Sequence, residues 1–144
     1  MTWSYGDGDT IQLGHGGGGR LSQQLIRELL LPMLGPSDGV LHDAALLPAQ
    51  PGRLAFTTDS YVVRPLIFPG GDIGRLAVLG SINDLAMAGA SPVALSLGLI
   101  LEEGLPIATL NTVVASIQWA AAECGVAVVT GDTKVVERGK GDGL

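Results

Sequence analysis

Residues 93–101 alternate between two kinds of side chain, and this pattern predicts a long β-strand. The side chains expected on one face are all large and apolar: Val93, Leu95, Leu97, Leu99 and Leu101. Those expected on the other face are mostly small: Ala94, Ser96, Gly98 and Ile100. The apolar face needs a core to cover it, whereas the other face permits close approach of a second element or a second subunit.

Apolar residues at helical spacing predict two helices before this strand. The first begins near Leu21 and is ended by Pro32 and Gly35. The second spans residues 73–88, with Asp72 as its N-cap. Because residues 73–88 are apolar on most sides, we expect this helix to be largely buried.

A third helix and several strands follow from the same reasoning. The helix starts at Pro106 and ends at Gly125. One apolar stripe on it is predicted to face the core: Leu110, Val113, Val114, Ile117, Ala121 and Cys124. Cys124 is therefore predicted to be a buried core thiol. Further strands are predicted at residues 44–47, 53–58, 61–63 and 126–130.

Composition limits the classes of function. The chain has 144 residues, of which 47% are hydrophobic, and this suits one domain with a substantial core. A formal net charge of −6 argues against nucleic-acid binding. There is one cysteine, no signal-peptide pattern and no apolar run of membrane-spanning length, so we expect a cytoplasmic protein with no membrane partner.

Four aspartates lie in or beside apolar segments: Asp43, Asp59, Asp84 and Asp132. A single aspartate in such a position is usually a helix cap or a turn residue. Four aspartates in similar positions favour a shared acidic centre that binds Mg²⁺ together with a phosphate ligand. Lys134 lies two positions after Asp132 and could contact a phosphate, or it could simply neutralise an aspartate. Helical spacing places Asp84 on a packing stripe with Ile73, where a carboxylate needs a partner.

A glycine run, Gly16 to Gly19, follows His15. It is either part of a flexible arm spanning residues 1–20 or a loop whose N–H groups approach phosphate oxygens. No Gly-Lys-Ser/Thr follows the run, so it is not a Walker loop. Residues 21–144 then form the main domain, and we expect this sequence to be the front part of a longer protein.

Several motifs together resemble the HypE family of hydrogenase maturation factors. They cover nearly the whole chain: the glycine run after His15, and residues 56–63, 68–74, 83–90, 100–104 and 130–136. The sequence departs from the family at Arg64 and Ile67, and in lacking the C-terminal domain with its terminal cysteine, which Cys124 on a packed helix cannot replace.

The resemblance implies a fold and a binding site. HypE proteins are similar to aminoimidazole ribonucleotide synthetase and selenophosphate synthetase, which implies an ATP-binding N-terminal domain of the α+β class. In that fold a mixed or antiparallel sheet packs with helices, and the sheets pair into a barrel across a homodimer. Residues implied to bind Mg²⁺ and nucleotide phosphates are Asp43, Asp59, Asp84 and Asp132. Asp84 and Lys134 carry the catalytic role, Asn83 orients its neighbours, and Gly16, Gly17, Gly18 and Gly19 cover the nucleotide.

The resemblance also implies a reaction and partners. HypE receives a carbamoyl group on its C-terminal cysteine from HypF, uses ATP to dehydrate it to a thiocyanate, and passes the nitrile to iron on the HypC–HypD complex. This sequence alone should then be an inactive part of a carbamoyl dehydratase. Two alternatives stay open: another ATP-dependent kinase or synthetase of the superfamily, or a non-catalytic dimerisation and docking module.

Overall fold

The structure is a computed structural model that describes residues 5–6, 8–35 and 44–144. The long helix α1 is built from Arg20–Leu25, Ile26–Leu30 and Leu31–Leu34. The later elements are the strands β1 (Ile67–Phe68) and β2 (Gly71–Asp72), the helix α2 (Ile73–Met87), the strand β3 (Ala94–Glu102), the helix α3 (Ile107–Glu123) and the strand β4 (Ala127–Val136). The predictions made for Asp43 lie outside the described residues.

The centre of the fold is the unit β3–α3–β4. β3 and β4 pair in parallel, from Ala94 with Ala127 to Glu102 with Val136. Parallel strands cannot be joined by a tight turn, so α3 carries the chain back across the sheet. The predicted alternation in β3 is confirmed, because Leu99 and Leu101 are buried while the side chain of Ile100 is 64% exposed. β4 is longer than predicted, and it carries Asp132 and Lys134 within the strand.

The helix α3 buries the stripe that its sequence predicted. Leu110, Val113, Val114 and Ile117 are all at most 2% exposed. Cys124 is partly buried at the end of the helix, beside this core. Burial of such side chains contributes about 1.5–3 kcal/mol each to folding. This helix therefore anchors the sheet that carries the candidate site.

The helix α2 is capped as predicted but is not largely buried. The Asp72 carboxylate accepts a hydrogen bond from the Arg75 N–H at 3.0 Å. Within α2, the buried residues are Ile73, Gly74 and Val78, which face α3. The opposite side is covered by no described element of this chain, so Met87 is 88% exposed. The expectation that this helix is largely buried is therefore wrong for a single copy.

The helix α1 continues through Pro32 instead of ending there. Ile26–Leu30 forms a π-helical turn before the proline. Proline lacks an N–H and crowds the carbonyl of the preceding turn, and a widened turn relieves that conflict. The helix ends at Gly35, whose N–H donates to the Leu31 carbonyl at 2.9 Å.

The described N-terminal residues pack against the domain, in contrast to the loosely ordered arm expected from the sequence. Ile11 is fully buried and exchanges backbone hydrogen bonds with the segment Gly104–Leu105, at 2.8 Å each. His15 is 3% exposed. Apolar burial by Ile11 and backbone pairing therefore outweigh the flexibility that the glycines suggest. The division of the chain at residue 20 stays a prediction.

The strands predicted at residues 44–47, 53–58 and 61–63 are not found within one copy, because those residues pair with no described strand. Several of their apolar side chains are exposed, including Leu54, Phe56 and Val62 at 80%, 88% and 75%. The strands β1 and β2 have two residues each and pair antiparallel as a short hairpin. The mixed helix-and-sheet class is confirmed, whereas the barrel across a homodimer stays a prediction, since the described sheets are small and open.

The chain after β4 is fastened to the end of β3. The Glu102 carboxylate accepts hydrogen bonds from the N–H groups of Gly139 at 2.7 Å and Gly143 at 3.1 Å. These two donors, Gly139 first, hold the pKa of Glu102 below its usual value. Arg64 adds an exposed ion pair with Asp142 at 2.7 Å. The positive charge of Arg64, a residue at which this sequence departs from the HypE motifs, is thus paired with an acid of the same chain.

Candidate functional site

A groove of about 390 Å³ runs between α1 and β4. One part of the lining is polar and is formed by the glycine turn (residues 13–19, of which Gly16 and Gly18 line the groove) and by the strand residues Asp132 and Lys134. The rest is mainly apolar and is lined by Ile26, Leu30, Leu31, Leu34, Leu97, Leu99 and Val128. An elongated ligand with one charged end and one apolar end matches this lining.

The glycine turn lies directly on β4. Leu13–Gly16 forms a 3₁₀ turn, and a Cβ on Gly16 would lie 2.5 Å from the Val135 nitrogen. Only glycine permits that approach of two backbones. Gly18 has φ of +74°, a conformation that side chains with a Cβ rarely adopt. Two of the predicted glycines therefore have a structural reason to be glycine before any ligand is considered.

Ser22 on α1 forms hydrogen bonds with two residues of the glycine turn. The sequence analysis did not predict a role for this serine. Its hydroxyl accepts from the Gly18 N–H at 2.9 Å and donates to the His15 carbonyl at 2.7 Å. The side chain is 5% exposed. Ser22 follows the glycine run by one helical turn, which is the signal that could have revealed it.

His15 lies buried at the edge of the same groove. Its Nδ1 accepts from the Gln12 N–H at 2.9 Å, so the proton of the neutral ring is assigned to Nε2. Burial lowers the pKa of His15 and favours that neutral form, and the bond accepted from Gln12 needs the same unprotonated Nδ1. His15 thus shapes the turn as an uncharged group.

Asp132 and Lys134 form an exposed ion pair on one face of β4. The Lys134 ammonium donates to both carboxylate oxygens, at 2.6 and 2.5 Å, and the Thr133 N–H donates to one of them at 2.9 Å. The bond from Lys134, followed by that from Thr133, lowers the pKa of Asp132. The two side chains are 69% and 61% exposed, so both can exchange partners when a charged ligand enters.

Gly131 explains how β4 can present these charges. A Cβ at Gly131 would collide with the carbonyl oxygen of Leu97 on the neighbouring strand. The bulge between β3 and β4 lies just before this point, where Leu95 pairs with Val128 and Ser96 pairs with Thr130. Bulges redirect the side chains that follow them, here toward the groove.

Asp59 and Asp84 meet around Tyr61 rather than in the groove. The Tyr61 hydroxyl donates to Asp59 at 3.0 Å, and the Thr57 hydroxyl donates to Asp84 at 3.3 Å. Burial first, and then the two carboxylates, raise the pKa of Tyr61. Asp84 is exposed, so the buried position inferred from helical spacing was wrong: α2 leaves that face uncovered. Asn83 is exposed beside it.

Within the described residues of one copy, the predicted site residues therefore fall into two separate groups. Gly16, Gly18, Asp132 and Lys134 share the groove, whereas Asp59, Asn83 and Asp84 are not among its lining residues. No group of three or more acidic, histidine or cysteine side chains among the described residues could hold a metal ion. Mg²⁺ is commonly held by one or two carboxylates together with substrate phosphates, and Asp132 fits that mode.

No helix in the described ranges is long and apolar enough to span a membrane.

Comparison with known proteins places the chain in a family. Residues 41–144 match the family model described as AIR synthase related protein, N-terminal domain. The carbamoyl dehydratase HypE of Azotobacter vinelandii is 54% identical over 136 residues, a match that covers 94% of this chain and 40% of that protein. This chain thus spans well under half the length of that relative.

Solved structures agree with this assignment. A crystal structure of the hydrogenase maturation protein HypE in complex with ATP matches with a TM-score of 0.89 at 54% identity, over 93% of this chain and 40% of that one. A HypE–HypF complex matches with a TM-score of 0.58 at 54% identity, over 59% of this chain and 28% of that one. The resemblance to HypE predicted from the motifs is therefore confirmed. The chain belongs to the AIR synthase-related protein family and corresponds to that family's N-terminal domain.

Proposed function

We propose that this chain is the nucleotide-binding and dimerising N-terminal part of a HypE-type carbamoyl dehydratase. The observation that carries the proposal is the groove, whose lining brings together the glycine turn, Asp132 and Lys134. Support comes from the 54% identity to a HypE that was crystallised with ATP.

ATP fits the division of the groove. The polar end, with the glycine turn and the Lys134 ammonium, suits the triphosphate. The apolar part between α1 and β3 suits the base and the sugar. Lys134 already donates to two oxygens of Asp132, so a phosphate group replaces one anionic partner with another. That exchange leaves the Asp132 carboxylate open to Mg²⁺.

The remaining predicted ligands need a second surface. Asp59, Asp84 and Asn83 lie outside the groove of the same copy, beside the exposed segment that contains Phe56 and Val62. We infer a homodimer in which this apolar segment is covered. Asp43, Asp59 and Asp84 then serve Mg²⁺ and phosphates jointly with Asp132, and Asp84 and Lys134 act at the reacting phosphate.

The proposed reaction belongs to the whole protein. HypF transfers a carbamoyl group to a C-terminal cysteine, and ATP phosphorylates the carboxamide oxygen. Phosphate then leaves with that oxygen, the nitrogen loses its protons, and a thiocyanate remains for transfer to iron on HypC–HypD. An amide oxygen is a poor leaving group, which explains the need for ATP. Within this proposed reaction, the residues described here supply nucleotide binding.

A docking module is the second candidate, and one observation favours it. Leu54, Phe56, Val62 and Met87 are each at least 75% exposed, and such apolar exposure is typical of an interaction surface. A pure docking module needs no nucleotide. The ATP measurement below therefore separates the two functions.

Isothermal calorimetry of the full chain with ATP and Mg²⁺ tests the proposal. We expect saturable binding, at least tenfold weaker in Lys134→Met, since a charge-assisted hydrogen bond contributes roughly 1.5–3 kcal/mol. Lys140→Met removes an exposed lysine outside the groove and is the matched control, expected to bind like the original chain. Absence of binding by the original chain would leave the docking module as the better account.

A further inference from the structure

The hydroxyl of Ser22 makes more contacts than a helix surface serine needs. It accepts from the Gly18 N–H at 2.9 Å and donates to the His15 carbonyl at 2.7 Å, with the Gly14 carbonyl nearby at 3.2 Å. A hydroxyl has one proton, so the shorter bond to His15 takes it. One buried side chain thus connects both ends of the glycine turn to α1.

This contact determines how the turn can meet a ligand. The Gly18 N–H is already used by Ser22, so it is not a donor that the turn offers to a phosphate. Gly18 has φ of +74°, a region where glycine exchanges readily between conformations unless a bond holds it. The bond from Gly18 to Ser22 therefore selects one shape of the turn on the groove wall.

We propose that Ser22 is a positioning residue for the nucleotide: its hydroxyl fixes the glycine turn in the shape that receives the triphosphate. The inference rests on the proposed ATP site. It assigns to Ser22 no contact with the ligand and no chemical step. A preorganised turn binds more tightly because less ordering remains to be done upon binding.

Ser22→Ala in the full chain tests the inference by ATP calorimetry. We expect the Kd for ATP with Mg²⁺ to rise about tenfold, which corresponds to the loss of one or two buried hydrogen bonds. Ser22→Thr keeps the hydroxyl and should restore the Kd to within about threefold of the original. Thr112→Val is the matched control, because it deletes a hydroxyl that donates to the Ala108 carbonyl at 3.0 Å on α3, away from the groove. Thr112→Val should bind ATP unchanged.

A second readout separates positioning from general stability. In the unsubstituted chain, hydrogen exchange at the Gly18 amide should slow when ATP is added, because the occupied turn opens less often. This measurement also serves if Ser22→Ala fails to fold. Exchange that is unchanged by saturating ATP would overturn the inference, as would a Ser22→Ala variant that binds normally or a Ser22→Thr variant as weak as Ser22→Ala. If the unsubstituted chain binds no ATP, the proposed function itself fails, which is a distinguishable result.

Discussion

Gly16→Ala should lift the glycine turn off β4. The added Cβ would lie 2.5 Å from the Val135 nitrogen and 3.0 Å from two side-chain carbons of Val135. Real Cβ atoms essentially never lie within 3.0 Å of such a neighbour, and here the nearest atom is backbone. The turn or the strand must therefore move, and the turn is the freer of the two.

The expected cost follows from the geometry. Forcing one methyl group into an occupied space costs about 1–3 kcal/mol. Unfolding entropy of about 2.1 cal/mol/K per residue gives roughly 0.3 kcal/mol/K for a chain of this length. The melting temperature should then fall by about 3–10 °C. Because the turn forms one wall of the groove, ATP affinity should fall as well.

Gly17→Ala is the matched control for this substitution. Gly17 has φ of −91°, and its nearest contact for an added Cβ is the Gly14 carbonyl at 3.9 Å. The exchange should be neutral or slightly stabilising at that position, by up to about 1 kcal/mol. Calorimetric melting of the three proteins decides the matter. Equal melting temperatures for Gly16→Ala and the original chain would refute the packing argument.

Three further predictions concern other parts of the fold. The depressed pKa of Glu102 means that its ionised form stabilises the folded state above the unfolded pKa and that this contribution is lost as the pH falls through the folded pKa. Glu102→Gln should therefore melt lower than the original chain at pH 7, and the difference in melting temperature should shrink as the pH falls below the ordinary glutamate pKa; a constant difference would contradict this. Asp84→Asn, at an exposed position, should change the melting temperature by less than about 2 °C yet weaken ATP binding in Mg²⁺, whereas unchanged calorimetric titrations would argue against a metal role. Light scattering at micromolar concentration should report a dimer that Phe56→Ser shifts toward monomer; a monomeric original chain would oppose the dimer.

The parts predicted best from sequence were those decided by local periodicity. The stripe of α3 and the alternation of β3 depend on which side chains face one core, and both emerged as expected. Asp72 was found as an N-cap because its position before an apolar helix is a local signal. The Asp132–Lys134 pair was likewise visible from spacing along one strand.

The parts that failed depend on contacts distant in sequence. Residues 53–58 have strand composition, but a strand forms only with a partner, and one copy supplies none in the described ranges. Asp84 shares a helical stripe with buried Ile73, yet it is exposed because no helix or strand among the described residues packs over that end of α2. The packing of Gly16 on Val135 joins residues from opposite ends of the chain, and no local pattern could predict it.

Amide chemical shifts recorded while MgATP is titrated into the full chain test the central claim most directly. The account predicts that the largest changes occur at the groove-lining residues Gly16 and Gly18 of the glycine turn and at residues 132–134 of β4, and that they saturate as a single site fills. Changes confined to the exposed surface around Met87, or none at millimolar MgATP, would contradict a nucleotide site in this groove.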